Sequence, residues 1–332
     1  KKLFPANLRP QAHEIIRTWA FYTIVKSYYH EGVIPWEKAA ISGWIVNPDK
    51  KKMSKSKGKT VTPETLISEY SADAIRYWAG KAKLGVDTIY DESVFKVGKR
   101  LCMKIFNASK FVMMQIKSGE YSQSDITNPL DLAMLKQLSS VVEKAEKDFK
   151  VLDYATVLMD VESCFWNFCD HYLELVKGRA YKLRDTPDGK SALATLELSL
   201  SCFLRLFAPF LPFVTEEVWS WHFNSTVHLS KWPSVEEFND IKLDGVSCEF
   251  ELAKEVLGKI RGEKTTAQKS LKWPVENLKV IGEKSNLSLL ETLISDICLA
   301  ANLKDNQFNL SEGKSEEDNY FAVDVVLSET KE

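Results

Sequence analysis

Four long amphipathic segments constrain this chain more than any other feature of its sequence. Apolar residues recur at helical spacing near 94–117, 129–149, 153–184 and 188–222. Helices of that length, each with one apolar face, bury those faces against one another, so the pattern predicts a helical bundle. Residues 185–189 (DTPDG) form its clearest loop, and Pro209 and Pro212 should bend or break the last helix.

The flanks read differently. Upstream, residues 13–29 (HEIIRTWAFYTIVKSYY) have helical spacing, and 39–46 (AAISGWIV) is a β-prone run ending at the turn Asn47-Pro48-Asp49. This predicts the end of an α/β layer. Thr62 and Pro63 look like a helix start, and a further helix over 72–83 follows a turn at Tyr70-Ser71. Beyond Pro233 the order is a helix near 248–264, a strand near 277–282, a helix near 286–300 and a strand at 320–327, which makes a small α/β unit. Its polar stretch 311–319 (SEGKSEEDN) reads as a loop. A chain of 332 residues is longer than one core usually grows. The predicted fold is mainly α with α/β parts, divided as 1–60, 61–93, 94–233 and 234–332.

Composition narrows the function classes. With 45% hydrophobic and 27% charged residues the chain reads as globular. No apolar run approaches the roughly 20 residues a bilayer span needs, so a cytoplasmic protein is expected, with no membrane partner. The six cysteines form no C-x-x-C pair, which points to reduced core thiols rather than a metal site or disulfide framework. Residues 1–60 hold twelve Lys or Arg against four Asp or Glu, a local charge of +8, whereas thirteen basic and twenty acidic residues from 231 onward give −7. A polyanion should therefore meet the N-terminal part. The chain has no initiating Met and runs straight into an apolar pattern, which suggests a piece of something longer.

The lysines concentrate at 50–59 (KKKMSKSKGK), after the predicted strand and before the predicted helix. Gly58-Lys59-Thr60 resembles the end of a Walker A loop, but that pattern needs a glycine where Met53 stands. A plain basic patch remains open as an alternative. Residues Lys52, Met53, Ser54, Lys55 and Ser56 match the K-M-S-K-S signature, and on them the chain resembles the class I aminoacyl-tRNA synthetases. The resemblance implies ATP as substrate, presumed Mg²⁺-bound in that family, with Lys55 the principal catalytic group and Lys52 its support. A loop of ammonium and hydroxyl groups can close on charge that grows in a transition state. Lys59 stands where that family commonly has Asn.

Residues 10–22 (PQAHEIIRTWAFY), 41–44 (ISGW), 168–177 (FCDHYLELVK) and 208–219 (APFLPFVTEEVW) resemble the valyl branch, and the likeness is expected to span 5–233 and fade beyond. It implies that Glu14, Gly43 and Trp44 face the nucleotide and that Trp19 walls a valine pocket, although core packing is the ordinary fate of a tryptophan. It also makes 1–60 the end of a Rossmann-type catalytic domain, 61–93 a linking helical segment, 94–233 an anticodon-binding bundle and 234–332 a small C-terminal domain. The second class I signature, H-I-G-H, is absent: the five histidines are followed by Glu14, Glu31, Tyr172, Phe223 and Leu229. The chain alone is expected to be catalytically silent, its partners being valine, ATP, the valine tRNA and the upstream half of the same monomeric enzyme.

On the segment 94–117, Val97, Leu101, Ile105, Ala108 and Val112 form an apolar stripe. Arg100, Lys104, Asn107 and Phe111 form a second stripe about 90° around. Cations with one aromatic can grip phosphate and stack a base, and the resemblance makes this stripe an anticodon contact. A solvated face with Phe111 tucked against a neighbouring helix is the alternative. Asp170, Glu174 and Lys177 share one helical face and read as ion pairs. Asp73 and Arg76 read as structural. An isoleucyl- or leucyl-type enzyme, or a non-catalytic RNA-binding module, remains open.

Overall fold

The computed structural model describes residues 3–49, 63–116, 121–304, 307–315 and 319–330. The lysine-rich segment, with Lys52, Met53, Ser54, Lys55 and Ser56, lies outside the described residues, as do Thr62 and part of the loop at 311–319.

Contacts divide the chain into two compact units. One comprises Lys1–Ile105, Lys144–Asp160 and Phe207–Glu217. It opens with strand β1 (Ala6–Ala12), which sequence reasoning left unassigned, and Pro10 within it suits a strand better than a helix. The segment expected to be one helix at 13–29 is a 3₁₀ turn at His13–Ile15, a π-helical turn at Ile16–Ala20 and then helix α1 (Phe21–Glu31). Gly32, at φ 70°, ends α1 in the left-handed conformation that favours glycine. Strand β2 (Trp36–Ser42) returns parallel to β1, with Ala12 opposite Ser42, so the segment is a βαβ unit. Short strands β3 (Ile45–Val46) and β4 (Thr88–Ile89) pair parallel. Between them lie α2 (Pro63–Tyr70) and α3 (Ala72–Gly80), the latter capped by the Ser71 hydroxyl. Tyr70, Ala74 and Phe95 form a small core with Leu66, Ile75, Trp78 and Tyr90.

Asp73 and Arg76 hold chain segments together, in keeping with a structural role. The Asp73 carboxylate accepts from the amides of Phe213 and Val214 at 3.2 and 2.7 Å, and Arg76 donates to the carbonyls of Pro209 and Phe210.

Helix α4 (Glu92–Gln115) contributes residues to both units. Helices α5 (Pro129–Lys150), α6 (Tyr154–Asn167) and α7 (Leu173–Lys182) match the predicted second and third segments, except that a π-helical turn at Phe168–Tyr172 separates α6 from α7. The fourth segment breaks as predicted, into α8 (Pro187–Phe207) and α9 (Pro212–Trp219).

The second unit comprises Phe106–Glu143, Val161–Leu206 and Val218–Glu332. Its core includes a buried ion cluster. Arg179 on α7 donates from Nη1 and Nη2 to both oxygens of Asp131, each at 2.7 Å, and from Nε to Asp296 at 2.7 Å. The Tyr172 and Ser191 hydroxyls also donate to Asp131. Burial opposes the charge on Arg179, but the two carboxylates hold its pKa above the usual arginine value. Burial pushes Asp296 up to about 6.

Past residue 233 come α10 (Glu249–Thr266), β5 (Val275–Gly282), α11 (Lys284–Glu291), α12 (Ile294–Ala301), β6 (Phe308–Glu312) and β7 (Phe321–Leu327). The helix expected at 286–300 is two, since the chain turns at Thr292, whose hydroxyl donates to the Leu289 carbonyl. The strands run in the order β6-β5-β7, with β6 parallel and β7 antiparallel to β5. β6 takes up the start of the stretch expected to be loop from 311. All six cysteines are unpaired, and burial pushes the Cys164 and Cys202 thiols up to about 12.

Candidate nucleotide site and RNA-contacting helix

β1 and β2 end side by side, so the residues that follow them leave the sheet together. His13 packs its ring on Trp44 at 4.7 Å between centroids, with its Nδ1 3.1 Å from the Ser42 carbonyl. The Trp44 amide donates to Asp87 at 2.7 Å. A Cβ on Gly43 would stand 2.3 Å from the Val86 carbonyl oxygen, so only glycine permits that approach. Glu14 and Trp44 are exposed beside it. The structure therefore brings Glu14, Gly43 and Trp44 to the carboxyl ends of two parallel strands, where open α/β sheets bind their ligands.

Trp19 sits in the π-helical turn and is 68% exposed, so it is not core packing. It lines an open cleft of about 670 Å³ with Phe4, Thr18, Tyr22, Lys26 and His30. Among the described residues, Glu14, Gly43 and Trp44 are not part of that lining.

On α4, Leu101, Ile105, Ala108 and Val112 are buried and Val97 is half-buried, so the apolar stripe packs as predicted. On the second stripe Arg100 and Asn107 are exposed, while Lys104 and Phe111 are half-buried. Phe111 meets the Tyr181 ring edge-on at 5.8 Å, and the Lys177 ammonium lies 5.5 Å from its centroid. Lys177 also pairs with Glu174, to which Arg261 adds a contact at 3.3 Å. The Glu174–Lys177 pair is an ordinary ion pair along one helix, as the helical spacing implied, whereas Arg261 reaches Glu174 from α10. The Asp131–Arg179–Asp296 cluster escaped sequence reasoning because its members are 48 and 117 positions apart, and nothing in local spacing joins them.

Comparison with known proteins extends this picture. Residues 1–91 match the family described as class I tRNA synthetases (I, L, M and V), and residues 131–280 match the anticodon-binding domain of tRNA ligase. The chain is 48% identical over 87% of its length to the valine–tRNA ligase of Thermobifida fusca, of which it covers 33%. It is 43% identical over 91% of its length to that of Anaplasma marginale, covering 37%. A match at 39% identity to the Leifsonia xyli valine–tRNA ligase covers 99% of the chain and 38% of the relative. The likeness thus runs well past residue 233, where it was expected to fade. The chain spans about a third of the length of the curated relatives it matches. A solved ternary complex of the Agrobacterium radiobacter K84 LeuRS with tRNA and LeuAMS covers 71% of this chain and 29% of its own at TM-score 0.57 and 21% identity, which shows the fold alone.

Proposed function

The chain belongs to the class I tRNA synthetases, with valine–tRNA ligases as its relatives, and on that premise we propose that it serves an enzyme joining valine to its tRNA at the expense of ATP. One observation carries this: a class I synthetase match and an anticodon-binding match follow one another in a single chain, with identity to valine–tRNA ligases throughout.

Within that reading the four parts expected from the sequence take on distinct roles. Residues 1–60 end a catalytic domain, 61–93 link it, 94–233 bind the anticodon and 234–332 form a small terminal domain. The strand ends present Glu14, Gly43 and Trp44 to the adenosine of ATP, which arrives as its Mg²⁺ complex. Lys55, supported by Lys52, Ser54 and Ser56 and spaced by Met53, meets the triphosphate. As the valine carboxylate attacks the α-phosphorus, charge builds on the departing pyrophosphate, and an ammonium held there stabilises the transition state more than the ground state. Trp19 walls the amino-acid pocket. A wall of this kind separates side chains differing by one methylene by about 1–3 kcal/mol and rejects a hydroxyl isostere such as threonine poorly, so a separate editing step is required. The enzyme works as a cytoplasmic monomer. Among the described residues no helix is long and apolar enough to cross a membrane.

Valine-dependent pyrophosphate exchange by the whole protein tests this. Lys55→Ala should lower it roughly 10²- to 10³-fold with little change in valine binding. Exchange driven by isoleucine or leucine instead would make the protein a different synthetase. No exchange with any amino acid would leave a non-catalytic RNA-binding module. The 332-residue chain alone, which holds no H-I-G-H sequence, should form no valyl-adenylate.

A further inference from the structure

Strand β4 is only two residues long, yet the segment around it grips residues 41–46 at several points. The Gly85 amide donates to the Ile41 carbonyl at 2.8 Å, the Thr88 amide to the Trp44 carbonyl at 2.8 Å and the Tyr90 amide to the Val46 carbonyl at 2.9 Å. Between those bonds the two segments meet so closely that a Cβ on Gly43 would stand 2.6 Å from the Asp87 nitrogen. There the Trp44 amide meets a side chain, donating to the Asp87 carboxylate at 2.7 Å. A carboxylate accepting from a backbone amide makes a charge-assisted bond, stronger than one between neutral partners. The Trp44 ring is held separately, against His13, whose Nδ1 lies 3.1 Å from the Ser42 carbonyl oxygen. Asp87 and Trp44 are both exposed, and exposed side chains contribute little to stability. The consequence of the bond is geometric: it sets where the Trp44 peptide sits.

We propose that Asp87 is a positioning residue for the nucleotide, which holds the Trp44 peptide, and with it the strand end, where the adenosine of ATP is received. This rests on the proposed synthetase reading, in which Glu14, Gly43 and Trp44 face that adenosine. Asp87 acts through Trp44 and touches no substrate. The adenosine does not react, so its contacts are as strong in the ground state as in the transition state. Loosening them raises KM for ATP and leaves kcat nearly unchanged.

The test is valine-dependent pyrophosphate exchange by the whole protein, with ATP and valine varied in turn. Asp87→Ala and Asp87→Leu have no acceptor, and each should raise KM for ATP roughly tenfold, the low end for a hydrogen bond to a charged group. KM for valine and kcat should stay within about twofold of wild type. Asp87→Asn keeps a carbonyl oxygen that accepts from the same amide, so its KM for ATP should stay within about threefold. In the 332-residue chain, deuterium exchange at the Trp44 amide should be faster in the Ala and Leu variants than in wild type or the Asn variant. Circular dichroism of each variant separates lost positioning from lost folding, and Leu, close to Asn in bulk, serves where Ala does not fold. A KM for ATP that neither Ala nor Leu moves would overturn the proposal and leave the synthetase reading standing. So would an Asn variant as impaired as Ala, since a carboxylate needed for its charge meets the nucleotide itself. A rise shared equally by ATP and valine, the mark of general loosening, would do the same. Absence of valine-dependent exchange by wild type would instead overturn the synthetase reading and this role with it.

Discussion

Helices α1 and α8 use apolar side chains in opposite ways. From Ser191 to Phe207, α8 buries every residue except Glu197, Ser201 and Arg205. Those three recur every fourth position, and two are paired, Glu197 with His222 at 3.0 Å and Arg205 with Glu237 at 2.6 Å. Along α1 only Ser27 is buried, while Phe21, Tyr22, Tyr28 and Tyr29 are exposed. α1 crosses between two parallel strands that, among the described residues, form a two-stranded sheet, and parallel sheets are ordinarily covered on both faces. The bundle helix is thus enclosed on nearly every side, whereas α1 leaves its aromatic rings at the surface.

The largest effect should come from breaking the closed side of this contrast. Arg179→Ala leaves two carboxylates buried without their cation, which costs about 3–5 kcal/mol. Urea unfolding of the chain should show that loss. A change under about 1 kcal/mol would mean that the cluster is not a structural joint.

On the open side, Trp19→Ala should move the same unfolding curve by no more than about 0.5 kcal/mol, because the side chain is 68% exposed. In the whole protein the same change should weaken valine binding roughly tenfold, within the range of one lost wall. Equal valine affinity by equilibrium dialysis would remove Trp19 from the pocket.

A third effect, read through pH, concerns Lys264, almost wholly buried on α10, whose ammonium donates to the carbonyls of Leu271 and Ala301. Burial, and then repulsion from Arg261, lower its pKa from the ordinary 10.5 to about 8. Below about 8 the folded and unfolded chains both hold this proton, so stability does not depend on pH through Lys264. Between about 8 and 10.5 the unfolded chain binds more protons, and stability rises with pH. Urea midpoints across pH 7–10.5 should show that rise, and Lys264→Met should flatten it.

Legibility in the sequence followed the range of the interactions. The bundle was readable because its signal is local: Leu101, Ile105, Ala108 and Val112 repeat on one helical face, and the stretch holding Pro209 and Pro212 separates α8 from α9, with Pro212 opening the second helix. β1 was not, because Ala6–Ala12 becomes a strand by pairing with residues thirty positions away. The break at Thr292 was hidden for a similar reason, since the apolar spacing runs through it unchanged. Strand-end residues Glu14, Gly43 and Trp44 came from resemblance, and the geometry adds why Gly43 is glycine. Phe111 was chosen for its stripe, but which of two rings is exposed depends on Tyr181, seventy positions on, and no periodicity reports that.

The most direct test of the central claim, that this chain carries the part of a valine–tRNA ligase that reads the anticodon, is a titration with two RNAs. The 332-residue chain is titrated with valine tRNA and with the same tRNA bearing a swapped anticodon, each at low and high salt. Phosphate contacts weaken with salt for both RNAs alike, whereas base contacts keep their preference. The account predicts tighter binding of the valine tRNA at both salt concentrations, with the gap narrowed by Lys104→Ala and by Phe111→Ala. Equal affinity for the two RNAs at both salts, unmoved by either substitution, would contradict it and reduce the α4 face to a non-specific basic surface.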